Sequence, residues 1–414
     1  MNFTETHASF QLTQMASLAP INSRFLRRFP AYNQNPISEF YEKTFENQKE
    51  FGRSIATAFE NMELLHALAV APTQSGKTGS MVAVIYEFLK NPMLRLPKSN
   101  IFLFTGHSSV EWLVQTKERF PNWLHPHIYH RNNLDTMVRE LENKKNVLII
   151  VDECHVAAKP TQTLDKLFQQ TMLQNNTKMY ETNTKVIQFS ATPENLNEAY
   201  KTRFENAHEE LHMDVPDSYL SIDKLEEQGR ILRATDLCGV SNINNLFDIN
   251  PVVYDNIREI LGEIEPLEPS YHIVRTPRGL LHDVVIRNFQ HTFSARDDFV
   301  YLSEPTLRES PSYNLNTLLQ TKPTKHTFIF IKDILRCAKT IHHDHIGILY
   351  ERVVQKPRVS SIIQGLLGRL TGYHNNSLAK VFSCDYRIPE KEDSKRSDSS
   401  SETMAQMLQN IELI

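Results

Sequence analysis

From about Phe45 the hydrophobic positions Phe51, Ile55, Ala58 and Phe59 recur at three and four residues, the period of an amphipathic helix. Short apolar runs then alternate with helical stretches. The runs are Leu68 to Ala71, Ile101 to Thr105, Ile128 to His130, Val147 to Val151 and Val186 to Phe189; the helices run over 76–89, 110–120 and about 134–142. Runs this continuously apolar suit strands buried on both faces, so an α/β fold with mostly parallel sheets covered by helices is predicted. Residues 193–248 turn polar and helical without a strong strand and read as a bridge. A second series of strands follows at Tyr271 to Val274, Phe299 to Leu302, Thr327 to Ile331, Gly347 to Tyr350 and Lys380 to Cys384, again with helices between.

This pattern divides the chain into a loosely structured segment over 1–45, an α/β domain over 46–192, a helical bridge over 193–248, a second α/β domain over 249–385, and a tail over 386–414. The opening segment holds Pro20, Pro30 and Pro36 and the basic Arg24, Arg27 and Arg28 without a sustained period. The charged, Ser-rich tail is expected to be disordered. At roughly 150 residues per domain, a length of 414 residues predicts two or three domains.

Composition changes the picture little, except for glycine. Lys and Arg number 45 against 49 Asp and Glu, so any nucleic-acid surface must be a local patch. Four cysteines, Cys154, Cys238, Cys337 and Cys384, stand far apart with no CxxC pair; this argues against a zinc ribbon and fits a reducing compartment, cytosol or nucleus. No run reaches the ~18 apolar residues of a membrane span. Glycine, 12 in 414, is about 3% where ~7% is usual, yet five fall in two windows, Gly76 and Gly79 in APTQSGKTGS and Gly365, Gly368 and Gly372 in QGLLGRLTGY. Such clustering marks places where backbone comes close to something.

The first window is a phosphate-loop pattern, Ala71-Pro-Thr-Gln-Ser-Gly76-Lys77-Thr78, set between a strand and a helix. In such a loop, through Thr73, Gln74, Ser75 and Gly76, backbone N–H groups and the helix N-terminus cradle phosphates. Lys77 adds a point charge and the Thr78 hydroxyl ligates Mg²⁺. The strand Val147 to Val151 ends in Asp152 and Glu153. In a phosphate-loop enzyme the first holds Mg²⁺ through water and the second polarises the water attacking the γ-phosphate. A third strand ends in Ser190-Ala191-Thr192, whose two hydroxyls could sense the phosphate state.

The order GKT, DECH, SAT resembles the signature of superfamily 2 (DEAD/DEAH-like) helicases and translocases. The resemblance implies two RecA-like domains with ATP and Mg²⁺ in the cleft between them and a nucleic-acid strand across their top, DNA ahead of RNA, with no membrane partner. It also implies that Gly106, His107 and Ser108 grip the strand and that Gln48 reads adenine. Tyr271 to Arg278, with Arg275 and Arg278, stands for the fourth motif, and Arg336 and Lys339 lie in the place of the fifth; these four cations are either phosphate contacts or ordinary solvated charges. Gln364-Gly-Leu-Leu-Gly368-Arg369-Leu-Thr-Gly372 is similar to the sixth motif, Q-x-x-G-R-x-x-R, with one residue inserted and Gly372 in place of the last arginine. Arg369 is the first candidate for the missing finger, Arg336 the second; Gln364, with Ser190 and Thr192, would couple the domains.

Ile341-His-His-Asp-His345 reads as a polar turn ahead of a metal site, and Trp112 and Trp123 as packing residues ahead of base-stacking platforms. The expected function is a nucleic-acid-dependent ATPase acting as helicase or translocase in replication, repair or transcription, a compact motor that suits a small or viral genome. A non-hydrolysing scaffold and a phosphate-loop kinase are the alternatives.

Overall fold

The computed structural model describes residues 36–94, 96–106, 110–152, 163–193, 196–239, 249–310, 313–332, 335, 341–354 and 359–384. Among them are two sheets of six strands, every pairing parallel. The first has the order β3-β2-β4-β5-β1-β6 and the second β7-β12-β11-β8-β10-β9. In chain order the strands are β1 (His66–Val70), β2 (Ile101–Thr105), β3 (Ile128–His130), β4 (Val147–Asp152), β5 (Thr184–Ser190), β6 (His208–His212), β7 (Ile231–Arg233), β8 (Tyr271–Arg275), β9 (Phe299–Ser303), β10 (His326–Ile331), β11 (Ile346–Tyr350) and β12 (Lys380–Ser383). This is the doubly covered α/β architecture that the apolar runs predict.

Each sheet separates two apolar layers, because successive side chains leave opposite faces of a strand. In the first sheet Ile101 and Leu103 of β2 pack with the helices Glu46–Ala58 and Lys77–Lys90, while Phe102 and Phe104 pack with Leu167 and Phe204 on the other side. The close approach of those two helices needs Gly52, where a Cβ would lie 2.5 Å from that of Ala83. In the second sheet Ile329 and Ile331 of β10 face Leu366 and Leu367, and Phe328 and Phe330 face Phe289 on the helix Leu280–Thr292.

The helical bridge expected over 193–248 is corrected. Residues His208–His212 form β6, parallel to β1, and Ile231–Arg233 form β7, parallel to β12, so the stretch supplies one edge strand to each sheet. Both escape the hydrophobic pattern for a physical reason: β6 is the half-exposed edge sequence HEELH, and β7 is only three residues long. The chain passes between domains over 213–220, from Met213, buried with the first core, to Leu220, packed against the second. The helix Ile37–Tyr41 lies in the segment expected to be loose; residues 1–35 and the tail 386–414 lie outside the described residues.

Candidate active site in the cleft between the sheets

The phosphate-loop sequence leaves the C-terminal end of β1 and closes on itself. Ser75 Oγ donates to Pro72 O at 2.8 Å, and its N–H reaches the same carbonyl at 3.2 Å. Gln74 (φ 61°) and Gly76 (φ 98°) take left-handed backbone, turning the chain into the helix Lys77–Lys90, whose start has no side-chain cap. The orphan N–H groups of that helix start form an anion site. Gln48 lies over it with only 5% exposure, and a Cβ on Gly76 or Gly79 would come within 1.9 or 2.1 Å of its amide. At Gly76 the left-handed backbone favours glycine, and at both positions a Cβ would displace the Gln48 amide. Gln48 Oε1 accepts the Phe45 N–H at 3.1 Å, so part of its amide caps its own helix. A cleft of about 360 Å³ opens beside it, lined among others by Phe40, Lys43, Gln48, Thr78 and Arg119. Arg119 Nη1 lies 3.4 Å from Thr78 Oγ1.

Asp152, 7% exposed, ends β4, opposite Thr105 at the end of β2. Its Oδ2 accepts the Trp112 indole N–H at 2.9 Å. Trp112 packs in the first core as expected, but the sequence carries no signal for this bond. Glu153 lies outside the described residues. Ser190 and Thr192 form a closed turn: Ser190 Oγ donates to Thr192 O at 3.0 Å and accepts the Thr192 N–H at 3.1 Å.

The second domain meets these elements directly. Gln364 Nε2 donates to Thr192 Oγ1 at 3.1 Å, bringing together two of the coupling candidates. The Thr73 carbonyl of the phosphate loop accepts from Thr371 Oγ1 at 3.0 Å and from the Tyr219 hydroxyl at 2.5 Å. Gly372, at φ 116°, pairs in backbone with Leu220, and a Cβ there would stand 3.0 Å from that of Gln74. Gly368 would place one 1.9 Å from Ile363 O and 3.1 Å from Thr73 Cγ2. The glycine-rich QGLLGRLTGY segment is thus the surface that seats on the phosphate loop.

No family model matches the chain. It is 27% identical over 350 residues to an uncharacterised protein of Acanthamoeba polyphaga mimivirus, covering 77% of this chain and 80% of that one. Among solved structures, the ATP-dependent Type ISP restriction-modification enzyme LlaBIII bound to DNA matches with a TM-score of 0.53 at 11% identity, over 88% of this chain and 29% of that one. A variant of Saccharomyces cerevisiae Dbp5 bound to RNA and ADP–BeF3 matches at a TM-score of 0.43 and 14% identity, over 84% and 83%. The chain shares the two-sheet, RecA-like α/β fold of the matched part of LlaBIII. In this helicase-like arrangement the two sheets are the RecA-like pair, and the cleft between them holds the phosphate loop, Asp152, Thr192 and the Gln364–Gly372 segment.

Other candidates of the helicase-like fold are placed differently. Arg275 is not a surface cation: it is 3% exposed, its Nε lies 2.6 Å from Glu351 Oε1, and its Nη2 donates to Leu335 O at 3.2 Å. Glu351 Oε2 accepts the Leu366 N–H at 3.1 Å, so the pair braces the helix Leu366–Arg369 against β8 and corrects the phosphate reading of Arg275. Arg278 is exposed in the turn before Gly279. Arg369, 3% exposed, donates through Nη2 to Gln364 O at 3.1 Å. Gly106 is buried at the end of β2, whereas His107, Ser108, Arg336 and Lys339 lie outside the described residues. The IHHDH run serves this same segment. His343 Nε2 donates to Arg369 O at 2.6 Å and its ring stacks at 4.0 Å on that of His374, which donates to Leu370 O at 2.8 Å. Burial pushes the His343 pKa down to about 4. Among the described residues no group of three His, Cys, Asp or Glu is arranged to hold a metal, and no helix is long and apolar enough to cross a membrane.

Proposed function

We propose that this chain is a nucleic-acid-dependent ATPase working as a helicase or translocase. The observation that carries the reading is the seating of Gln364, Thr371 and Gly372 on Thr192, Thr73 and Gln74, because a phosphate loop covered by a second domain can turn nucleotide state into relative domain movement. The residues present fit Mg-ATP: two left-handed residues shape the loop, an uncapped 14-residue helix begins at Lys77, and two glycines are hard against Gln48. Backbone N–H groups from Gly76 to Thr78 and the Lys77 ammonium would hold the phosphates, and Gln48 the base. Thr78 and Asp152 would hold Mg²⁺, which when bound neutralises phosphate charge. Glu153 would orient and polarise the attacking water, and Arg369 would add charge from the second domain. Ser190, Thr192 and Gln364 would carry the coupling.

Nucleic acid would lie along Gly106, His107 and Ser108, with Arg278, Arg336 and Lys339 on its phosphates. A DNA partner agrees with LlaBIII, which is described as bound to DNA. A viral source agrees with the mimivirus relative. The test is ATP turnover with and without single-stranded DNA, RNA and duplex. Stimulated hydrolysis is expected, falling below about a tenth in Lys77→Ala because the ammonium contacts phosphate in ground and transition states alike. Absence of hydrolysis under every condition overturns the reading.

A further inference from the structure

We propose that Trp112 is a positioning residue: its indole N–H orients the Asp152 carboxylate, and the helix Val110–Glu118 thereby braces the metal side of the phosphate site. This rests on the proposed role of Asp152 and Thr78 toward Mg²⁺. Both partners are 7% exposed and 2.9 Å apart. A buried N–H to a carboxylate is short, charge-assisted and directional, so it fixes the plane of the carboxyl group. The indole can only donate, so it orients the acid without competing for the cation.

The placement of the helix adds a second connection. Arg119 follows its last residue and lies seven positions after Trp112, two turns on and on the same face; its Nη1 reaches Thr78 Oγ1 at 3.4 Å. One short element therefore touches both metal-side groups. On the strand side, Thr105 at the end of β2 is paired in register with Asp152. Phenylalanine would fill the same core, whereas a buried indole must find an acceptor.

The chain has two tryptophans, so Trp123→Phe leaves Trp112 as the sole indole emitter. In that protein the emission is expected to shift when Mg²⁺ is added with ADP and to stay still with ADP in EDTA. In Trp112→Phe the Mg²⁺ concentration giving half-maximal ADP binding should rise about tenfold, the usual scale for losing an outer partner of a metal ligand, with ADP binding in EDTA unchanged within about twofold. Should Trp112→Phe fail to fold, the emission of Trp123→Phe decides alone, and an emission blind to Mg²⁺ overturns the proposal. A parent protein that binds ADP equally with and without Mg²⁺ overturns the metal reading of Asp152 and Thr78 beneath it. A parent that needs Mg²⁺, with Trp112→Phe needing no more, overturns only the role of Trp112.

Discussion

The resemblance of the Gln364–Gly372 segment to the superfamily 2 sixth motif leads one to expect an arginine at Gly372, and the surroundings of this residue explain why none is there. A φ of 116° disfavours any side chain, Gln74 would stand 3.0 Å from a Cβ, and both backbone groups are paired with Leu220. Restoring the arginine as Gly372→Arg should therefore impair the protein: backbone strain alone costs roughly 1–3 kcal/mol, and the second domain must lift off the loop. Lowered melting temperature together with lowered turnover is the expected result; a gain in turnover sinks this account. Arg369→Ala tests where the charge comes from instead, with turnover expected to fall by orders of magnitude and ATP affinity to change within a few-fold. Normal turnover in Arg369→Ala would assign Arg369 to holding its segment in place, as its bond to the Gln364 carbonyl does.

At the scale of elements, ten of the twelve strands were legible, because a strand buried on both faces writes a continuous apolar run, as in VLIIVD and HTFIFI. Of the four edge strands, β6 and β7 were not, because β6 is the half-exposed HEELH and β7 is only three residues long, whereas β3 and β9 keep apolar residues enough to be read. The tight turn between β1 and the helix Lys77–Lys90 and the placing of Asp152 at the end of β4 could be read from local sequence, whereas Trp112, Tyr219, Thr371 and Glu351 act through contacts between residues 15 to 298 positions apart or on a packed core, and no local pattern encodes these. Arg275 was misread for the same reason: its partner Glu351 lies on another strand's end. The strands also carry a testable pH dependence. At the starting ends of the parallel strands His66 and His208 sit with Nδ1 atoms 2.8 Å apart, and His272 and His326 with rings bonded at 3.0 Å. Burial, with repulsion from the neighbouring imidazole at His66 and His272, pushes their pKa values down; Glu210 beside His208 and Asp298 beside His326 oppose the shift. The unfolded chain then binds more protons than the folded one below about 6.5, so stability rises with pH up to that value and is level above it. Urea midpoints should be flat from pH 8 to 7 and fall steadily from 6.5 to 5. Asp298, held to about 2 by Arg296, contributes only in a lower window. A midpoint unchanged down to pH 5 contradicts the burial argument.

Over the whole molecule, two sheets are joined by a small set of polar contacts that all converge on the phosphate loop or its neighbours. Thr73 O takes two donors from across the cleft, Thr192 takes Gln364, and Asn47 Nδ2 donates to the Tyr373 hydroxyl at 3.0 Å beside the Tyr219 ring, whose centroid lies 5.4 Å from that of Tyr373. Hydrogen bonds of this kind contribute about 1 kcal/mol each, enough to hold one arrangement and weak enough for a ligand to redistribute. Tyr219→Phe combined with Thr371→Val removes both donors to Thr73 while keeping ring and shape. Without nucleotide the double variant should scatter as a more extended particle, with a larger radius of gyration than the parent. Each domain keeps its own two apolar layers, so secondary structure should be unchanged. If the seating on the loop serves the motor, the same variant should also hydrolyse ATP with weakened dependence on nucleic acid, because the signal passes through the contacts removed. A radius of gyration equal to the parent's would show that these bonds do not hold the domains together, and that the remaining contacts, Gln364 with Thr192 and Asn47 with Tyr373 among them, suffice.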